Sequence, residues 1–80
     1  MRLNNTEAPL DGFAIEPSDT EDLARVARGI WVGSGGVVNL VTYAGTTLTF
    51  PIAGNGGYIW LAVRRVLATD TTATNMIGFV

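Results

Sequence analysis

The chain of 80 residues contains no cysteine, no histidine and no lysine, and each absence removes a class of function. Without cysteine no disulfide can staple a small core, and without histidine the usual neutral-pH proton shuttle is missing. With both gone, zinc loses its two most versatile ligands. Five arginines against seven acids give a net charge of −2, so nothing resembles the basic surface that drives nucleic-acid binding by counterion release. Charged residues are only 15% of the chain, against roughly 25% in an average globular protein. Hydrophobic residues nevertheless reach 48%, so this is a folding sequence and not a disordered tail.

Long apolar runs are also missing. Met1 to Leu10 is polar and carries Glu7 and Pro9, so it holds no signal-peptide core, and the longest apolar run, Ile59 to Val63, is far too short to cross a bilayer. The expectation is a protein made in the cytoplasm that leaves, if at all, inside a particle. Without a signal peptide, the sequon Asn4-Asn5-Thr6 has no use as a glycosylation site. A domain this small buries only about 60% of its extended surface, which leaves oligomerisation or docking as its source of extra stability.

The few charges are unevenly placed. Residues 1–28 hold six acids and three arginines, and residues 29–80 hold only Arg64, Arg65 and Asp70. From Gly29 to Val63 no acid or base occurs apart from tyrosine. A small monomer cannot hide that stretch from water, so its outer side must be Thr, Asn and Gly or be covered by another chain.

Read for periodicity, residues 1–12 form an N-terminal arm and residues 13–80 a single β domain, with Phe13 to Ile15 as a short first strand. Ser18-Asp19-Thr20-Glu21 fits a capping box, and Leu23, Val26, Ala27 and Ile30 follow at helical spacing, which predicts about two helical turns over Asp19 to Arg28. An extended run is the alternative there. Ile30-Trp31-Val32 then reads as a strand, Gly33-Ser34-Gly35-Gly36 as a hairpin turn, and Val37 to Tyr43 as the returning strand. Ala44-Gly45 is a two-residue turn candidate. Thr46 to Ile52 alternates Leu48, Phe50 and Ile52 against Thr47, Thr49 and Pro51, and Pro51 marks that strand as an edge.

After a second glycine-rich turn, Tyr58 to Ala68 reads as the longest strand, apolar on both faces and hence expected to be buried on both sides. Thr69 to Thr72 is a polar turn and Thr74 to Val80 the last strand. The sum is all-β: a small antiparallel sandwich or open barrel of about five to seven short strands, with at most one short helical turn.

Chemistry is scarce. Gly33-Ser34-Gly35-Gly36 lacks the Lys-Ser/Thr and the helix of a phosphate loop and reads as a turn. Asp19, Glu21 and Asp22 lack calcium-loop spacing and suit the start of a helix. Ser18 and Ser34 have no histidine to activate them, and no acid pair can be assigned. We therefore expect no enzyme, no cofactor and no metal. Arg64 and Arg65 point to opposite faces of their strand, and one is expected to meet an acid such as Asp70 or Glu16. Trp31, Tyr43, Tyr58, Trp60 and Arg64 are the candidate interface residues, the aromatics as anchors.

The segments Arg28-Gly29-Ile30-Trp31-Val32-Gly33, Gly36-Val37-Val38, Thr49-Phe50 and Val66-Leu67-Ala68-Thr69-Asp70-Thr71-Thr72-Ala73-Thr74 resemble the small spike base proteins of gene transfer agents and related tailed phages. Glu16 to Leu23 resembles the lead-in to their first strand, so the likeness covers residues 13–80. Members of that group often carry proline where this chain has Ala24 and Ala27, in a segment that is extended. The resemblance implies a virion component without catalysis, seated as a ring on the exterior of a capsid and carrying a spike fibre. The implied partners are copies of itself (a pentamer, or else a trimer), the capsid protein and a fibre protein, with neither nucleic acid nor membrane. Rival readings are a capsid decoration protein or small tail component and, more distantly, a glycan-binding module.

Overall fold

The computed structural model describes residues 9–80. They form seven strands: β1 (Gly12–Ala14), β2 (Ile30–Ser34), β3 (Gly36–Thr42), β4 (Thr47–Ile52), β5 (Gly57–Ile59), β6 (Val63–Val66) and β7 (Thr74–Phe79). All pairs are antiparallel, in a four-stranded sheet of order β1-β7-β2-β5 and a three-stranded sheet of order β4-β3-β6. The two sheets make a sandwich, the first of the expected architectures. Residues 1–8 of the expected arm lie outside the described residues. Nearer the domain, the Leu10 and Asp11 amides both donate to the Val80 carbonyl.

Alternation builds the core. In β2, Ile30 and Val32 point inward while Trp31 points out; in β3, Val38 and Leu40 point inward, and all four inward side chains are fully buried. With Ile59, Val63, Val66, Ala73 and Met76 they fill the space between the sheets. Burying a side chain of this size stabilises by about 1.5–3 kcal/mol, so these positions supply most of the driving force. The shortest dimension of the molecule, 18 Å, has room for two sheets about 10 Å apart and no third layer. Among the described residues nothing therefore covers the outward faces as a layer.

The β3–β4 pairing forms as the sequence predicts, with Leu40 opposite Leu48 and Asn39 opposite Thr49. Its loop has three residues, not two: the Thr42 amide donates to the Thr46 carbonyl, and Gly45 takes a φ of 99°, the glycine-closed form of hairpin. Pro51 lies on β4, an edge strand, where its missing donor leaves no partner unpaired.

Three expectations fail, all for tertiary reasons. Gly33 to Gly36 does not turn a hairpin; β2 and β3 lie in different sheets, and the glycines carry the chain across the sandwich. The crossing is tight. A Cβ at Gly35 would run into the Ala53 carbonyl, and Gly36, at a φ of 149°, would set one 2.8 Å from the Ala73 nitrogen. Tyr58 to Ala68 is not one strand but two, β5 in the first sheet and β6 in the second, joined through Trp60 to Ala62. Burial on both sides fails with it: Trp60 stands 79% exposed.

The helix over Asp19 to Arg28 does not form. Ser18 Oγ does accept from the Thr20 and Glu21 amides, as a cap would, but the later amides go elsewhere. Leu23 N donates to the Arg64 carbonyl and Ala27 N to the Val63 carbonyl, while Arg28 N donates to Phe79 across in the other sheet. The segment is thus an irregular strap along the β6 edge, bent along its length and bridged to Val63 at Ala27, and so neither the helix nor the fully extended run. Pairing it there also removes an open edge.

Candidate assembly surface

On β2, β5 and β7 the outward positions line up across the four-stranded sheet. Trp31 lies opposite Tyr58 on one side and Ile77 on the other. Phe79 follows Ile77 at the next outward position of β7, and Ala14 of β1 lies opposite Ile77. Trp60, just past the end of β5, places its ring 5.8 Å from that of Tyr58, and Phe79 places its ring 6.0 Å from it on another side. Tyr58 is thus the centre of the cluster.

Its reach depends on a glycine. Tyr58 sits on β5, and β2 lies between it and β7, so the ring must cross β2 to touch Phe79. It does so over Gly29, where a Cβ would collide with the Tyr58 hydroxyl. Gly29 therefore serves the outward face by having no side chain.

None of the face's outward strand positions is charged: they are Gly12, Ala14, Trp31, Gly33, Tyr58, Asn75, Ile77 and Phe79, with Glu16 just beyond the end of β1. Trp31 is 46% exposed and Tyr58 42%. A contiguous aromatic surface of this kind is a candidate interaction site.

Of the five interface residues proposed from sequence, the fold brings Trp31, Tyr58 and Trp60 together. Tyr43 lies in the β3–β4 loop, where its amide donates to the Ala62 carbonyl, and its ring joins neither ring pair of the cluster. Arg64 is exposed at the irregularity where β6 slips against β3, away from the aromatic face. Sequence reasoning missed Ile77 and Phe79. The signal was present in the alternation of β7, whose inward positions Met76 and Gly78 leave Asn75, Ile77 and Phe79 outward.

The charged residues do structural work. Arg65, not Arg64, meets an acid, and the acid is Asp22 at 2.8 Å rather than Asp70 or Glu16. The reason is the strap, which runs beside β6 and brings Asp22 there. Asp19 accepts from both the amide and the hydroxyl of Thr69, at 2.8 and 2.6 Å. Those bonds, the hydroxyl's foremost, hold the Asp19 carboxyl below the ordinary aspartate range. Asp19 thus clips the strap to the turn before β7 and Asp22 clips it to β6, and no helix start exists for them to complement.

Comparison with known proteins agrees with this architecture. No protein-family model matches the chain and no curated protein does. Among solved structures, a chain from the capsid of a native gene transfer agent (GTA) particle computed with C5 symmetry is similar at a TM-score of 0.83 and 34% identity, covering 99% of this chain and 92% of that one. Identity at that level over nearly the whole of both chains goes beyond a shared sandwich fold: the chain belongs to the family of this gene transfer agent capsid component, a likeness that supports a structural protein of a virion.

Proposed function

We propose that this protein is the oligomeric base of a head spike: a non-enzymatic ring on the outside of a phage-like capsid, at a vertex, carrying a fibre. The observation that carries the reading is the full-length likeness to a chain of a GTA capsid. The C5 symmetry of that particle's description fits a fivefold setting, and symmetry matching at such a site favours a pentamer. The chain's own features support a role in assembly. It has a small core, an uncharged middle from Gly29 to Val63 and an aromatic outward face, the composition of interface centres, which are depleted in charge and enriched in Trp and Tyr.

In this role the mechanism is adhesion through area and repetition. Each weak contact of a protomer with the shell is multiplied by the number of copies in the ring, so modest single affinities sum to firm attachment. The fold suits a rigid mount. Two short-looped sheets share one core, and the strap ties the β6 edge to the end of β7.

The deciding experiment is the native mass of the purified chain, by light scattering or native mass spectrometry, at dilute and concentrated protein. A closed ring of fixed copy number is expected, with five copies matching the vertex. A monomer at every concentration overturns the ring and moves the protein to the decoration proteins that assemble only on the shell.

A further inference from the structure

We infer that the outward face of the four-stranded sheet, centred on Tyr58 and bearing Trp31 and Trp60, is covered by a second copy of this chain. The inference rests on the homo-oligomeric reading above and names the surface that does the work.

Area is the first argument. An aromatic side chain offers about 150–250 Å², so exposures of 46% for Trp31, 42% for Tyr58 and 79% for Trp60 leave on the order of 400 Å² open. That is about half of the ~800 Å² each partner contributes to a standard interface. Ile77 and Phe79, half-buried on the same face, extend it. A patch of this size left wet is a solubility hazard for a free monomer, whereas in a ring every copy hides its own.

Chemistry is the second. A charge-free face on a partner chain carrying a charge would force that charge to lose water without a counter-charge. The occupant must itself be poor in charge, and this chain is such a molecule between Gly29 and Val63. A sugar fits the face less well: glycan sites need several convergent polar groups, and the outward strand positions offer only the Tyr58 hydroxyl and the Asn75 amide, one N–H of which goes to the Ser34 hydroxyl.

The only two tryptophans of the chain both lie on this face, so intrinsic emission reports its cover without a label. The test is a dilution series of the wild-type chain, with native mass, tryptophan emission and iodide quenching measured on the same samples. As mass rises from monomer to ring, emission is expected to shift to the blue and quenching to fall in step. Trp60→Ser, read through the remaining Trp31, is expected to weaken self-association roughly 30-fold or more, as loss of a central anchor does. Its unfolding midpoint at a concentration where both proteins are monomeric should stay unchanged.

A ring whose tryptophans quench as readily as in the monomer overturns the inference and leaves the ring reading intact. No oligomer at any concentration overturns both. If Trp60→Ser does not fold, Gly29→Ala replaces it, because its added methyl pushes against the Tyr58 hydroxyl and no core side chain; a ring of undiminished affinity in that variant, with Tyr58 displaced, counts against the inference.

Discussion

The two outward faces of the sandwich come from strands of the same periodicity, yet the chain completes one and leaves the other open. Outside the three-stranded sheet, Asn39 accepts from the Thr49 hydroxyl through its side-chain oxygen and donates its side-chain amide to the Thr69 carbonyl. The hydroxyls of Thr71 and Thr72 accept from the Asn39 and Val37 amides, and Arg65 pairs with Asp22. That face sets Val37, Val41 and Pro51 among polar groups satisfied by the chain's own loops and strap. The four-stranded sheet presents Trp31, Tyr58, Ile77 and Phe79, with no layer of the described residues over them and no charge among them. That difference is what makes the aromatic face the candidate for contact.

Several changes would break or sharpen this contrast, the largest through the core that both faces share. Leu40→Ala should cost about 2–5 kcal/mol, because Leu40 is fully buried between the sheets; chemical denaturation would show the loss, and both faces would unfold together. Gly36→Ala should cost about 1–3 kcal/mol by the same measurement, since its φ of 149° and the close Ala73 nitrogen leave no room for a methyl. Unfolding unchanged in that variant would mean that the crossing between sheets tolerates a side chain.

The faces themselves separate at the next scale. Asn39→Ala on the polar face should lower stability by about 1 kcal/mol, without effect on native mass. Trp60→Ala on the aromatic face should do the reverse. Exposed as it is, the ring contributes little to the monomer's fold, within about 0.5 kcal/mol, and its loss is read in assembly. Finding the two variants alike in both measurements would erase the distinction between the faces.

The smallest effect is electrostatic. Asp19 has a lowered carboxyl pKa in the folded state, so its bonds to Thr69 favour folding at pH values above the unfolded aspartate pKa. The contribution fades as pH falls through the still lower folded value. Thr69→Val should flatten that acid limb of a stability-versus-pH curve and leave its neutral-to-alkaline part parallel to wild type. An unaltered acid limb would remove Asp19 from the account of how the strap is held.

Much of the fold was legible from pattern. Period-2 alternation in Thr46 to Ile52, with Pro51 as an edge marker, located β4 and its hairpin, because both signals are local. Trp31, Tyr58 and Trp60 were legible as candidate anchors for a compositional reason, being large aromatics in a stretch without charge. Tyr43 and Arg64 were drawn in by the same reasoning and lie elsewhere, since composition does not know which sheet a residue joins. Ile77 and Phe79 were missed because an alternating strand looks the same whichever of its faces is inside.

The sequence by itself determined that the molecule is all-β and low in charge, without cysteine, histidine or lysine. These follow from residue types and from a periodicity of two, which are properties of a chain before it folds. Only the tertiary structure decided that the Gly33 to Gly36 run crosses between sheets, that Tyr58 to Ala68 divides at Trp60, and that Asp19 to Arg28 is a strap. In each case the local signal permitted two conformations of similar energy. What chose between them was the set of backbone groups left to satisfy elsewhere, chiefly along the β6 edge, where the Arg64 and Val63 carbonyls accept from the Leu23 and Ala27 amides and the Val63 amide donates to the Ala27 carbonyl, partners that a helix over this segment would have taken from them.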